Sequence, residues 1–158
     1  MENEKILLEL EQKFNELKTN NGLKASLEDF DKAFFIRDAV LHEGYVSSQF
    51  SFQIASKVAS FISSSVNFLH DLIMPNPSSL ILSTEAKLFQ NEEDKKRIWK
   101  LMTEIMALER ENHKAFVMRD VNAEIAFMDS AFAFYNARLN PELLWVFGKI
   151  EDAWKGKK

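Results

Sequence analysis

The chain has 158 residues, of which 46% are hydrophobic and 28% charged, with 4 Gly, 3 Pro, no Cys and a formal net charge of −4. That length fits one domain, and that balance is the balance of a globular chain rather than a disordered one. The absence of cysteine excludes disulfides, thiolate metal sites and cysteine nucleophiles, and so few turn-formers exclude an all-β fold, which needs a turn signal about every 8–12 residues.

The opening stretch, MENEKILLELEQK, is acidic and amphipathic rather than basic and then apolar, which is not the pattern of a secretory signal, so a cytoplasmic location is the default expectation. Ile6, Leu10, Phe14 and Leu17 line one face of a first helix over about 4–19. Asn20-Asn21-Gly22 closes it, with Gly22 suited to a left-handed cap. Ser26, followed three residues later by Asp29, opens the next helical region as a capping box. Core helices then cover about 27–74, with a kink or break near Gly44, a residue that costs a helix interior about 1 kcal/mol against alanine. Phe50, Ile54, Val58 and Ile62 form one ridge there, and Ser51, Ala55, Ala59 and Ser63 a small-residue ridge beside it that would admit a close helix neighbour. The most apolar stretch, Val58–Met74, carries four serines, Asn67, His70 and Asp71, and is too short and polar to span a bilayer; it reads as a central core helix, and no membrane partner is expected.

Two prolines in Pro75-Asn76-Pro77-Ser78-Ser79 predict a loop over 75–83, followed by a short helix from Ser83 or Thr84 to Gln90. Asn91 with Glu92, Glu93 and Asp94 behind it is a strong helix start. Neither Gly nor Pro interrupts the chain from there to Asn140, which predicts helix over about 91–139, roughly 70 Å at 1.5 Å per residue if unbroken. Its two halves carry different apolar seams: Ile98, Leu101, Ile105 and Leu108, then Val121, Ile125, Met128, Phe132, Tyr135 and Leu139. The polar run Glu109–Lys114 separates them, so the segment either breaks or switches partners along its length; a continuous or kinked helix is the expectation. Asn140-Pro141 reads as an N-cap with proline at the first helical position of a last helix over about 141–155.

Several chemistries are absent as motifs. The residues three before the histidines are Ala39, Asn67 and Arg110, so the Glu-x-x-His pairs of di-iron bundles are missing, and no Gly-rich phosphate loop or Gly-x-Ser-x-Gly elbow occurs. Lys95, Lys96, Arg97 and Lys100 beside Trp99, and the tail lysines Lys155, Lys157 and Lys158, read as a solvated helix face and a solubilising tail. With the net charge they give no expectation of a nucleic-acid partner.

Two histidine patterns remain. Arg37-Asp-Ala-Val-Leu-His42, followed by Glu43-Gly44-Tyr45, resembles the Arg-x4-His motif of HEPN-type ribonucleases, an all-α family that dimerises to pair these residues about an RNA phosphate. The resemblance implies catalytic roles for Arg37 and His42, a guanidinium to neutralise phosphorane charge and an imidazole to move the proton. Only 36 residues precede Arg37, where the family usually has two long helices. The second pattern, His42, then His70-Asp71, then Asp120 or Asp129, resembles the metal set of HD-domain phosphohydrolases, and implies a divalent cation on His42, His70, Asp71 and Asp129 that activates water. Without those resemblances Arg37 and His42 are a solvated pair at a helix end, and His70 a helix C-terminal histidine favoured by the dipole. Asp120 and Glu124, four apart, could act as paired carboxylates, though a charged helix face accounts for them. The 14 Phe, 3 Trp and 2 Tyr serve a packed core before they serve an apolar ligand pocket.

The sequence thus predicts an all-α fold: a single-domain bundle of five to six mostly antiparallel helices with one or two very long ones. Its leading functional reading is a small helical interaction or assembly module, self-associating as a homodimer or pairing with another helical protein, without catalysis and without a cofactor. The alternative is a phosphoester-cleaving enzyme of either kind above.

Overall fold

Apolar side chains spaced three and four apart, with few breakers, produce helices. The computed structural model describes residues 1–157; Lys158, the last lysine of the basic tail, lies outside them. Among the described residues every regular element is helical and there is no strand. None of these helices is long and apolar enough to cross a membrane.

Helix α1 (Glu2–Asn21) buries Ile6, Leu10, Phe14 and Leu17, and Gly22, at φ 73°, closes it in the left-handed conformation. Helix α2 (Leu27–Phe34) starts on a capping box: the Ser26 hydroxyl accepts from the Asp29 N–H at 3.1 Å, and the Asp29 carboxylate accepts from the Ser26 N–H at 3.3 Å. The helix predicted to run on from here instead divides at Phe35, which takes φ 54°. The cause is Asp31, whose carboxylate accepts from the backbone N–H of Arg37 at 2.9 Å and so satisfies a donor that a new helix, α3 (Ile36–Glu43), leaves free in its first turn.

Gly44, at φ 85°, ends α3 with a full break rather than a kink, and the chain does not resume helix until α4 (Phe50–Ser63). Buried Gln53 holds the intervening loop. Its carbonyl accepts from Ser47 N–H at 2.9 Å, and its amide donates to Glu43 Oε2 at 2.6 Å and to the Tyr45 carbonyl at 3.1 Å. Both ridges of α4 are occupied: Phe50, Ile54, Val58 and Ile62 are buried, and so are Ser51, Ala55 and Ala59. The core run expected to reach Met74 is interrupted once more after Ser63, within three successive serines, a residue type that disfavours helix interiors, before α5 (Val66–Ile73). The predicted loop over 75–83 is shorter than expected, because the Ser79 hydroxyl accepts from Leu82 N–H at 3.2 Å and starts α6 at Leu80 (Leu80–Ala86). A 3₁₀ turn, Lys87–Phe89, follows.

Helix α7 (Glu92–Met118) opens as predicted, with Asn91 Oδ1 accepting from the Asp94 N–H at 2.9 Å. The helix expected to continue to 139 is broken at Arg119, which adopts φ 52°. Asp120 then caps α8 (Val121–Phe134), its carboxylate accepting from the Asn122 N–H at 2.9 Å. An N-cap aspartate is therefore present, but no glycine stands at the left-handed position where a helix end is normally recognised. A second departure comes at Asn140-Pro141, which opens no new helix from a loop. Residues Tyr135–Leu139 form a π-turn in which Asn140 N–H reaches the Tyr135 carbonyl, and α9 (Asn140–Trp154) follows directly. The wider turn accommodates the proline, which lacks an N–H and crowds the carbonyl four residues before it.

Packing gathers into two units, each discontinuous in sequence. The first joins residues 1–62 to 108–133. Its core is built of phenylalanine: Phe30 stacks on Phe132 with ring centroids 5.3 Å apart, and Phe14 and Phe34 each meet Phe30 edge-on at 5.5 Å. The second joins residues 63–107 to 134–157. There Phe89 meets Trp145 edge-on at 5.6 Å and Phe68 stacks on Phe147 at 5.3 Å. Two of its ion pairs are bidentate: Arg97 donates to both Glu142 oxygens at 2.8 and 3.1 Å, and Arg138 to both Glu104 oxygens at 2.9 and 3.1 Å.

A side chain with a Cβ is strained by about 1–2 kcal/mol in the left-handed region. Arg119→Gly is therefore expected to leave the protein as stable or up to about 1 kcal/mol more stable in urea unfolding. Arg119→Val, with a branched Cβ, should destabilise it by more than 1 kcal/mol or so.

Candidate functional site

The first unit contains a cleft of about 580 Å³, inside the range of roughly 300–1,000 Å³ that encloses small ligands. One wall is the C-terminal half of α1, with Lys13, Glu16, Leu17, Asn20 and Asn21. Another is the start of α4 and the residues before it, Ser48 to Phe52, and the third is the α7–α8 corner, with Phe116, Arg119, Val121 and Glu124. Each wall is placed by a local signal already described: the Gly22 cap that ends α1, the Gln53 amide that holds the loop before α4, and the Arg119–Asp120 break. Without that break Glu124 and Phe116 would not flank a corner. Phe52 and Phe116 meet in the cleft wall with ring centroids 4.9 Å apart.

Glu124 is the unusual side chain of this cleft. It is only 6% exposed, and one carboxylate oxygen, Oε2, has no hydrogen-bond partner. The other, Oε1, accepts from the Ser51 hydroxyl at 3.5 Å, the outer limit of a hydrogen bond. Burial holds its carboxyl above the usual range; the Ser51 hydrogen bond acts weakly the other way, and the negative charge of Asp120 adds to the rise. A buried carboxylate in this state is either protonated or short of a donor.

The residues singled out by the two histidine patterns are placed differently. Arg37 donates to Asp31 Oδ2 at 2.9 Å and to Glu28 Oε1 at 2.6 Å, and donating to Glu28 and Asp31 raises its pKa further. Its guanidinium thus acts as a clasp across the α2–α3 junction. His42 is exposed at the end of α3. Its neighbour Glu43 pairs with Lys57 and Gln53; burial pushes the Glu43 carboxyl up, but those hydrogen bonds outweigh it and lower it overall. His70 is exposed in the last turn of α5, with Nδ1 3.8 Å from Asp71 Oδ1. Asp129 accepts from the backbone N–H of Lys24 at 3.1 Å and ties the α1–α2 loop to α8. Among the described residues no three His, Asp or Glu side chains gather where they could hold a metal ion.

The basic cluster also has structural duties. Arg97 lies 3.7 Å above the Trp145 ring while it holds Glu142. In the same unit Lys149 pairs with Asp94 at 2.5 Å; burial raises the Asp94 carboxyl, and its hydrogen bonds with Lys149 and Asn91 more than reverse this.

Sequence reading set Glu124 on a charged face with Asp120. The signal to the contrary lay in its register: Glu124 stands three after Val121 and four before Met128, inside the apolar seam of α8. No family model, curated protein or solved structure matches the chain.

A glutamate whose folded pKa is raised contributes its full stability below the ordinary glutamate range and loses it as pH rises through the raised value. Glu124→Gln is therefore expected to stabilise the protein by about 1 kcal/mol at pH 7. The gain should shrink to nothing toward pH 4, as thermal unfolding of both proteins across that range would show.

Proposed function

We propose that the chain is a non-catalytic helical interaction module that self-associates through the α7–α8 corner. The observation that carries this reading is the run Phe116, Val117 and Met118, which are 50%, 78% and 54% exposed at the end of α7, with Val121 42% exposed just beyond the break. Apolar side chains grouped in this way mark an interaction surface, whereas single exposed ones need no explanation. The corner is also self-complementary in charge. Arg119 and Asp120 follow one another at its apex, so a two-fold axis would set the arginine of each copy against the aspartate of the other. Such a homodimer satisfies the expectation of a helical module whose apolar face needs a second chain, on the all-α framework seen in every described element. Neither histidine pattern is supported by an arrangement of side chains that would favour the phosphoester-cleaving alternative.

Val117 and Met118 do not line the cleft, so they test the corner alone. Light scattering coupled to size exclusion is expected to give twice the chain mass for the native protein at tens of micromolar, and the chain mass for Val117→Glu. A native protein that runs as a monomer at millimolar concentration would sink the proposal.

A further inference from the structure

We infer that the cleft between α1, α4 and the α7–α8 corner is a binding site for a small amine, a primary ammonium group on an apolar body, with Glu124 as the counter-charge. This goes beyond the self-association proposed above and does not rest on it.

Three observations converge on this ligand chemistry. First, Glu124 is buried with an oxygen that nothing in the protein satisfies. Leaving such a group unpaired destabilises the protein, a deficit that an N–H donor from outside would remove. A charged donor removes it best, because hydrogen bonds between ionised partners are roughly twice as strong as neutral ones. The carboxylate's terminal torsion is broad, so an oxygen can turn toward an incoming donor at little cost.

Second, the walls nearest in kind to a ligand body are apolar. Leu17, Phe52, Phe116 and Val121 line the same cleft as Glu124. They share the cleft with Glu16, Lys13, Arg119 and neutral polar side chains, and an apolar patch beside a few placed polar groups is the usual make-up of a small-molecule site. An aromatic or alkyl amine matches both halves, and the two rings could also face its cationic end.

Third, the cleft's own cations leave the anchor free. Lys13 and Arg119 line it, yet no ion pair joins either to Glu124 among the described residues. The other deeply buried glutamate of the chain is treated in the opposite way, since Glu142 accepts two hydrogen bonds from Arg97 and has Arg138 at 3.6 Å. A buried carboxylate kept for structure is paired internally here, and the one that lines a cleft is not.

The test compares 2-phenylethylamine with 2-phenylethanol and 3-phenylpropanoate, which keep the apolar body and replace the cation by a neutral or an anionic group. Binding to the full chain at pH 7.5 would be followed by calorimetry and by proton NMR of the phenylalanine rings. The expected result is saturable binding of the amine, at least about tenfold tighter than the alcohol, and no binding of the carboxylate. Tenfold corresponds to about 1.4 kcal/mol, the order of one charge-assisted contact. Glu124→Gln should bring the amine down to the affinity of the alcohol. In the native protein the amine's advantage should fade as the pH drops and Glu124 gains its proton, a readout that needs no variant. Equal affinity for amine and alcohol would overturn the assignment. So would an amine affinity unchanged in Glu124→Gln, or the absence of any amine binding up to 10 mM or so.

Discussion

A single phenylalanine ring joins three segments that are far apart in sequence. Phe30 of α2 is fully buried, stacked on Phe132 of α8 and met edge-on by Phe14 of α1. Aromatic pairs in these geometries add about 0.5–1.5 kcal/mol each beyond the area they bury, and their preferred angles leave little freedom to slide. With α1 and α8 fixed about this ring, the hydrogen bond from Lys24 N–H to Asp129 and the contact between Asn21 and Asn122 fall into place on the rim. Two of the three walls of the cleft are consequences of that ring packing. The third, α4, is brought to its place by its own two buried ridges and by the Gln53 amide.

The two units solve the problem of buried charge in contrasting ways. In the second, Arg97 covers Glu142 on one side and the Trp145 ring on the other, and Arg138 bridges Glu104 and Glu142. Glu142 and Glu104 there each meet a fork-shaped donor at bidentate distance, and Asp94 meets the Lys149 ammonium, arrangements that offset desolvation. In the first unit the Arg37 guanidinium is engaged by Glu28 and Asp31, and Glu124 is left with a serine at the limit of hydrogen-bond range. The difference has a chemical origin. A serine hydroxyl donates one neutral hydrogen bond and cannot compensate a full negative charge. That imbalance gives the cleft its character.

Much of the helical framework could be read from residue spacing, because burying one stripe of a 3.6-residue helix leaves a mark in the sequence. The stripe Ile6, Leu10, Phe14, Leu17 and the caps at Gly22, Ser26 and Asn91 are all of this kind. The breaks were less legible, and for a common reason. At Phe35 and Arg119 the chain enters the left-handed region without glycine, so the residue that would announce a turn is missing. What compensates at each point is a carboxylate, Asp31 or Asp120, that receives an N–H of the next helix, and an aspartate inside a charged run carries no distinctive signature. The π-turn before Pro141 was hidden by the opposite ambiguity, since Asn-Pro announces a helix start equally well whether or not helix precedes it. As for the site, the histidines drew attention because their chemistry is conspicuous, whereas Glu124 needed its register within the apolar seam to be noticed.

The division of the core also sorts the chromophores. All three tryptophans, Trp99, Trp145 and Trp154, belong to the unit formed by residues 63–107 and 134–157, and the unit that holds the cleft contains none. Intrinsic indole emission is therefore a reporter for one half of the molecule, while circular dichroism sees helices in both. Melting curves recorded by the two methods coincide only where both halves unfold as one cooperative body. A gap between them would show which half lets go first, with no label attached to the protein.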